Sequence, residues 1–182
     1  MKTIIVFLVL LLCAPAAQAR AFSLTSPDIA DTRVLENAQV LKGHGCEGGN
    51  LSPALTWANA PAGTRSFAVT VYDPDAPTGS GWWHWVVFNI PATTAGLPAG
   101  AGTADGRKLP PGSIQPRTDF GQPGFGGACP PTGDGPHRYQ FTVYALDVPN
   151  LGLDANASPA LVGFMLRQHS LAKASILSLY KR

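Results

Sequence analysis

Glycine and proline interrupt this chain throughout its length, and no other feature restricts its fold more strongly. Of its 182 residues, 20 are glycine and 17 are proline, whereas only 13% are charged. Both residues are unfavourable inside helices, because glycine loses backbone entropy on folding and proline removes a hydrogen bond. The short runs between them suit strands and turns better than long helices. The composition therefore favours a strand-rich, loop-rich fold over a helical bundle.

The first 19 residues have the parts of a secretory signal segment. Lys2 supplies a positive charge, residues 4–12 are apolar, and Ala17-Gln-Ala19 is a small-residue cleavage motif. The apolar stretch is short for a membrane-spanning helix, which needs about 20 residues; an anchoring helix is the alternative. We therefore expect cleavage after Ala19, one domain of residues 20–182, and a periplasmic or secreted location.

Two cysteines remain once the signal segment, which contains Cys13, is set aside. They are Cys46 and Cys129. An even pair of cysteines in an oxidising compartment predicts one disulfide. Two unpaired buried thiols are the alternative. The bond would join the region of Cys46 to the segment just before His137.

Alternating or continuous apolar runs predict the strands. The three long strands are expected at residues 66–72, 85–90 and 139–146. Shorter strands are expected at residues 55–57 and near Val34 and Val40. Residues 92–119 are rich in glycine, proline and alanine, so this segment is expected to be mostly loop.

The end of the chain changes its period and predicts a helix. Ser158 is a suitable N-cap, and Pro159 suits the first helical position. Residues then recur at spacings of three and four: Leu161, Met165, His169, Ala172, Ile176 and Leu179. This pattern predicts one amphipathic helix that runs to the final Lys181-Arg182 and packs on a sheet. Met165 and His169 are interpreted as packing residues. The expected fold class is mainly β with a C-terminal α-helix.

Two polar segments, residues 73–85 and 127–139, each place one histidine at the start of a predicted strand. Asp73 and Asp75 follow the preceding strand in a turn that prolines make rigid. The duplicated context suggests that His84 and His137 converge at one edge of the sheet. In isolation, the aspartates could simply build turns and each histidine could be a hydrogen-bonded structural residue.

The four side chains of this cluster would suit three kinds of site. Imidazole and backbone N–H groups could hold an anion, while the aspartates orient the imidazoles and favour their charged form. The same four groups could bind a metal ion. A hydrolase would need a nucleophile, for which Ser80 is available. The sequence has no HxH, HxxxH or GxSxG motif, which favours the anion site.

In these segments the chain resembles the phosphatidylethanolamine-binding protein family, also called the Raf kinase inhibitor-like family, and its bacterial YbhB/YbcL branch. The resemblance covers nearly all of residues 20–182. The matching motifs are Asn50-Leu-Ser-Pro-Ala-Leu-Thr-Trp57, Asp73-Pro-Asp-Ala-Pro77, Gly79-Ser-Gly-Trp-Trp-His-Trp85, Pro130-Pro-Thr-Gly133 and Pro136-His-Arg-Tyr139. Trp83 departs from animal members, which commonly have another histidine there, and residues 121–127 are richer in glycine. These differences argue against a kinase-inhibiting role.

The resemblance implies a central antiparallel sheet, a smaller second sheet, a helix near the C-terminus, and a surface pocket for phosphate-like anions. The implied ligand-binding residues are Asp73, Asp75, Pro77, Trp82, His84, Pro131, His137 and Tyr139. It implies a non-enzymatic binding protein without a cofactor or bound metal; a hydrolase or metal-dependent enzyme that uses the same cluster is the alternative. The expected partners are phosphate or a phospholipid head group and a protein that the binding modulates, with a homodimer left open. The net charge of +2 and the lack of basic runs give no indication of nucleic-acid binding.

Overall fold

The computed structural model describes residues 20–182, so the predicted signal segment lies outside the described residues. Strands dominate this range. The elements are β1 (Ser23–Thr25), β2 (Lys42–Gly43), β3 (Cys46–Glu47), β4 (Leu55–Ala58), β5 (Ser66–Asp73), β6 (Trp82–Pro91), β7 (Gly96–Leu97), β8 (His137–Leu146), α1 (Pro159–His169) and β9 (Ser170–Tyr180). No helix in this range is long and apolar enough to cross a membrane.

The main sheet contains four antiparallel strands in the order β6-β5-β8-β9. Both of its faces are buried, which explains why β6 is apolar along nearly its whole length rather than alternating. Phe67, Val69 and Val71 of β5 face one hydrophobic cluster. Ala68 of the same strand faces the other, together with Val162 of α1.

The smaller sheet, in the order β1-β4-β7, covers the face of the main sheet opposite α1. Its Trp57 packs against Phe67 of the main sheet, with 5.3 Å between the ring centroids. The helix, the main sheet and the small sheet therefore form three layers. This arrangement confirms the expected β-rich fold with a central antiparallel sheet, a smaller sheet and a helix near the C-terminus.

The predicted helix of residues 159–182 is wrong over its second half. The N-cap is confirmed, because Ser158 Oγ accepts a hydrogen bond of 3.2 Å from the backbone N–H of Leu161. The helix ends at His169, however, and the remaining residues form β9, which pairs along the length of β8. Ala172 and Ile176 fit a period of two as well as spacings of three and four, so the local pattern was ambiguous. Pairing with β8 makes these residues a strand rather than a helix, because the strand satisfies backbone groups of β8 that would otherwise be unpaired.

The other long strands agree with their predictions to within a few residues. Near Val34 and Val40 the expected strands reduce to isolated bridges, with Leu179 and Ala128 respectively. The segment 92–119 is mostly loop, as expected, and contains the short strand β7. The irregular backbone of this segment runs beside β6, since Ile114 exchanges backbone hydrogen bonds with Phe88 and the N–H of Asp119 donates to the carbonyl of Trp83.

The predicted disulfide is present. Cys46 and Cys129 are bonded, with their Cα atoms 6.1 Å apart and a sequence separation of 83. Cys46 lies in β3, and Cys129 precedes the Pro130-Pro131 turn that leads to β8. The bond therefore attaches the β2–β3 ribbon to the segment that precedes His137.

Candidate functional site

Antiparallel pairing places the end of β5 beside the beginnings of β6 and β8. Asp73, the last residue of β5, is in register with Trp82, the first residue of β6. On the other side, Tyr72 is in register with Gln140, so the first residues of β8 extend past the end of β5. Each polar segment of the sequence therefore reaches the same edge of the main sheet.

A cavity of about 270 Å³ opens at this edge. Of the eight predicted binding residues, seven line it: Asp73, Pro77, Trp82, His84, Pro131, His137 and Tyr139. Asp75 is not among the lining residues. The role of these eight residues in binding a ligand stays a prediction. The two histidines, His84 and His137, do lie together at this edge of the sheet.

His137 is held between two carboxylates. Its Nδ1 donates to Asp73 Oδ2 at 2.8 Å, and its Nε2 donates to Asp134 Oδ2 at 3.3 Å. Both His137 and Asp73 are buried, with 4% and 2% of their surface exposed. Burial opposes the charge on the imidazole, but the hydrogen bond and the negative charge of Asp73, helped by Asp134, outweigh it and raise the pKa of His137. This histidine is therefore suited to carry a positive charge.

His84 is in the opposite electrostatic situation. Its Nδ1 donates to the carbonyl oxygen of Gly126 at 2.7 Å, and its ring packs edge-on against Phe120 and Tyr139, with centroids 5.3 and 5.1 Å away. Burial lowers the pKa of His84, although the Gly126 carbonyl and the charge of Asp73 oppose that effect. In the neutral ring Nε2 carries a lone pair. His84 can then accept a proton when a negative charge enters the cavity.

Two further polar atoms of the cavity residues are buried without a well-formed hydrogen bond. Trp82 Nε1 has no partner in the described range 20–182, and Tyr139 Oη lies near the carboxylate of Asp73 without a well-aligned bond to it. Burial and the nearby charge of Asp73 raise the pKa of Tyr139, so its phenol stays protonated. Since buried polar groups are nearly always hydrogen-bonded, two donors without a well-formed bond beside a cavity indicate a place for an acceptor.

Asp75 contacts Arg138 rather than an imidazole. Its carboxylate forms a two-pronged pair with the guanidinium of Arg138, at 2.7 and 2.9 Å, and also accepts the Arg138 backbone N–H. The hydrogen bond to Arg138 lowers the pKa of Asp75. Its own backbone N–H donates to Asp73 Oδ1 at 2.9 Å. Asp75 therefore fixes the turn after β5 and the start of β8, and it orients Asp73 rather than an imidazole.

Sequence reasoning missed two side chains that shape the site. Phe120 directly follows the irregular segment 92–119 and forms a wall of the cavity, packing edge-on against Trp82 with 5.4 Å between the ring centroids. Asp134 lies three residues before His137 and contacts its ring. A loop residue such as Phe120 follows no periodic pattern that would identify it. Asp134 could have been identified from the sequence, because it lies only three residues before a candidate histidine.

One residue of the Asn50-Leu-Ser-Pro motif positions the site from outside the cavity. The side chain of Asn50 donates to the carbonyl of Phe125 at 3.1 Å and accepts from the N–H of Gly127 at 2.8 Å. These two bonds clamp the backbone on either side of Gly126, whose carbonyl holds His84. Asn50 therefore sets the orientation of the His84 ring through the intervening loop.

The three carboxylates of the site are already paired within the protein. Within residues 20–182, no group of three or more His, Cys, Asp or Glu side chains is arranged to hold one. Asp73 and Asp134 are engaged with His137, while Asp75 is engaged with Arg138. The arrangement offers hydrogen-bond donors and a positive charge in an aromatic cavity, which suits an anion.

The sequence profile of the phosphatidylethanolamine-binding protein family matches residues 25–181, which include every residue of this site. The chain belongs to that family. Its relatives include the UPF0098 protein YbcL of Escherichia coli, which is 58% identical over 181 residues that cover 100% of this chain and 99% of YbcL. The UPF0098 protein YbhB of the same organism is 53% identical over 157 residues, covering 86% of this chain and 98% of YbhB.

Solved structures agree with the family assignment. The crystal structure of E. coli YbcL, described as a new member of the mammalian PEBP family, matches with a TM-score of 0.87 over 88% of this chain and 98% of that one. A phosphatidylethanolamine-binding protein homologue from Chlamydia trachomatis is 27% identical and matches with a TM-score of 0.73, covering 89% of this chain and 98% of its own. Membership of the family makes this protein a ligand-binding protein of the phosphatidylethanolamine-binding type.

Proposed function

We propose that this protein binds small phosphate-like anions without catalysing a reaction, and that the cavity at the edge of the main sheet is the binding site. One observation carries the proposal. A single cavity is lined by three histidines, His44, His84 and His137, of which His137 is paired with a buried carboxylate. It is also lined by two residues whose buried donors have no well-formed hydrogen bond in the described range 20–182. An anion would satisfy those donors and interact favourably with a charged imidazole.

The size of the cavity favours a head group over a whole lipid. Its volume of about 270 Å³ is at or below the lower end of the usual range for ligand pockets, about 300–1,000 Å³. A phosphate or phosphoethanolamine group suits this space, whereas two acyl chains do not. The aromatic rings of Trp82 and Phe120 give the cavity apolar walls, which strengthen electrostatic interactions inside it.

Anion binding should be coupled to proton uptake at His84. In the neutral ring Nε2 can only accept a hydrogen bond, because the ring proton lies on Nδ1 and is donated to Gly126. An anion in the cavity would stabilise the doubly protonated ring and raise the pKa of His84 towards its ordinary value. We therefore expect tighter binding as the pH falls from 8 to 6.

The test is a titration followed through the histidine ring resonances by NMR, at pH 6 and pH 8. Inorganic phosphate and phosphoethanolamine are separate arms, so that free phosphate and a lipid head group are distinguished as ligands. We expect shifts at both His84 and His137, larger at pH 6, and weaker binding in His84→Ala and His137→Ala. His169→Ala is the matched control, because His169 lies at the end of α1 and pairs with Asp147. Equal affinities in all four proteins would contradict the proposal.

The enzymatic alternative is tested on the same protein. Ser80, the nucleophile available to a hydrolase, is not among the residues that line the cavity. Turnover of a phosphoester or peptide substrate that His84→Ala abolishes would favour an enzyme, as would a stoichiometric metal ion in the purified protein.

The proposal extends to location and partners. The N-terminal pattern supports export to the periplasm or the exterior, where the disulfide would form. Cell fractionation and the N-terminal residue of the mature protein test this directly. We also propose that the occupied pocket modulates a protein partner, which would be checked by comparing partner binding with and without phosphate.

A further inference from the structure

Asp134 accepts the hydrogen bond of His137 Nε2, the ring nitrogen that a ligand would contact. Asp73 takes Nδ1 at 2.8 Å, while Asp134 takes Nε2 at 3.3 Å. Both N–H groups of the charged imidazole are therefore already donated within the protein. A phosphate-like anion can hydrogen-bond to His137 only after one of the two carboxylates moves away.

The two carboxylates differ in their freedom to move. Asp73 ends a central strand, is 2% exposed, and also accepts the backbone N–H of Asp75. The side chain of Asp134 is 41% exposed and lies between Gly133 and Gly135. Its loop is held by two long backbone hydrogen bonds of 3.3 Å, from Gly133 to Arg182 and from Asp134 to Pro131. Asp134 is therefore the carboxylate that can leave.

We infer that Asp134 is an internal competitor that occupies the anion site of the free protein and must be displaced from His137 when a ligand binds. This inference rests on the proposed function, because it assigns a role to Asp134 at the same site. The carboxylate keeps the charged imidazole hydrogen-bonded in the empty protein, and it sets how strongly an incoming anion must bind. Asp134 is thus a residue that determines affinity rather than a ligand contact.

Substitution of Asp134 should strengthen binding. Asp134→Asn removes the negative charge and keeps the shape, while Asp134→Ala also removes the hydrogen-bond acceptor. A carboxylate within a few ångströms of a bound anion repels it even in partly exposed surroundings. We expect at least about a fivefold tighter dissociation constant for inorganic phosphate in both variants. Inorganic phosphate is the probe because it has no ammonium group that could itself pair with Asp134.

The control for net charge is Asp147→Asn. Asp147 is also exposed and paired with a histidine, His169, but it follows the far end of β8, ten residues from His137. The titrations are done at pH 6 and low ionic strength, by calorimetry. We expect the wild-type affinity in this control, and thermal unfolding of all variants within a few degrees of the wild type.

A direct readout separates displacement from a merely structural role. In the wild type, phosphate should move the side-chain carboxyl carbon resonance of Asp134 towards that of a free carboxylate, whereas the carboxyl of Asp73 should keep its imidazole contact. Unchanged phosphate affinity in both Asp134 variants, with binding still lost in His137→Ala, would overturn the inference while leaving the proposed function intact. If no form of the protein binds phosphate, the proposed function fails and this inference fails with it.

Discussion

The buried pair of Asp73 and His137 gives the most demanding stability prediction. Asp73→Asn keeps the size of the side chain and an oxygen for the His137 N–H, but it removes the negative charge 2.8 Å from Nδ1. Two unit charges about 4 Å apart interact by about 4 kcal/mol at an effective dielectric constant of 20. Removing one partner of a buried pair typically costs about 3–5 kcal/mol. Because Asn retains one hydrogen bond, we expect a loss of about 3 kcal/mol in the free energy of unfolding at pH 5.5.

The cost should depend on pH in a definite direction. The pKa of His137 is higher in the folded protein than its ordinary value of 6.5. Its charged form therefore adds stability below about pH 6.5, and this contribution is lost as the pH rises through the folded pKa. The Asn variant should consequently approach the wild type at high pH, where we expect a residual cost of about 1 kcal/mol for a weaker neutral hydrogen bond. His84, whose pKa is lowered, contributes the opposite trend, which is stronger in the Asn variant because the charge of Asp73 no longer favours the protonated ring. The loss of that charge therefore adds to the cost of the substitution at pH 5.5.

Urea unfolding at pH 5.5 and pH 9, followed by tryptophan fluorescence, measures the effect. With a slope of about 2 kcal/mol per molar urea, 3 kcal/mol moves the midpoint by about 1.5 M. Asp75→Asn is the control, since Asp75 pairs with the half-exposed Arg138 and should cost about 1 kcal/mol or less with little pH dependence. A cost for Asp73→Asn that is equal at the two pH values would refute the reasoning, because it would mean that Asp73 does not stabilise a charged His137.

Three further predictions test the fold around the site. Replacing Cys46 and Cys129 together by serine should cost about 4.5 kcal/mol by the chain-entropy relation for a sequence separation of 83. A variant as stable in urea as the oxidised wild type would contradict this. Ile176→Ala, at a buried position of β9, should lower the free energy of unfolding by about 2–5 kcal/mol, whereas Leu171→Ala, at an exposed position, should lower it by under about 1 kcal/mol. Equal losses of the two variants in thermal unfolding would argue against the strand. Gly127→Ala would place a Cβ against the backbone of residues 39–41, so we expect a lower melting temperature and weaker phosphate binding; unchanged values of both would show that this contact can relax.

Local patterns were sufficient for the main strands and for the start of the helix. Alternation in β5 and β8 reflects side chains that point to opposite faces of a sheet, and this period belongs to each strand on its own. The N-cap of Ser158 is equally local, because its bond reaches only to Leu161. Even so, the same kind of pattern was misleading in residues 170–180, since Ala172 and Ile176 satisfy both helical and strand periods.

The two aspartates show where local reasoning about the site ends. Asp73 and Asp75 are two residues apart, and in a continuing strand they would share a face. The chain turns at Pro74 instead, so that Asp73 pairs with His137 while Asp75 pairs with Arg138. Both partners lie more than sixty residues away in the sequence. The partner that each aspartate contacts depends on the register of β5 with β8, which no short segment specifies.

The sequence by itself determined the strand-rich class, the principal strands, the cysteine pair and the family, because these depend on composition, short periods and motifs within single segments. Only the tertiary structure decided that the C-terminal residues form an edge strand, that Phe120 forms a wall of the cavity, and that Asp134 covers Nε2 of His137. These outcomes depend on contacts between distant segments. Burial and hydrogen-bond satisfaction across the whole molecule decide them, and those energies exceed the preferences of any one segment.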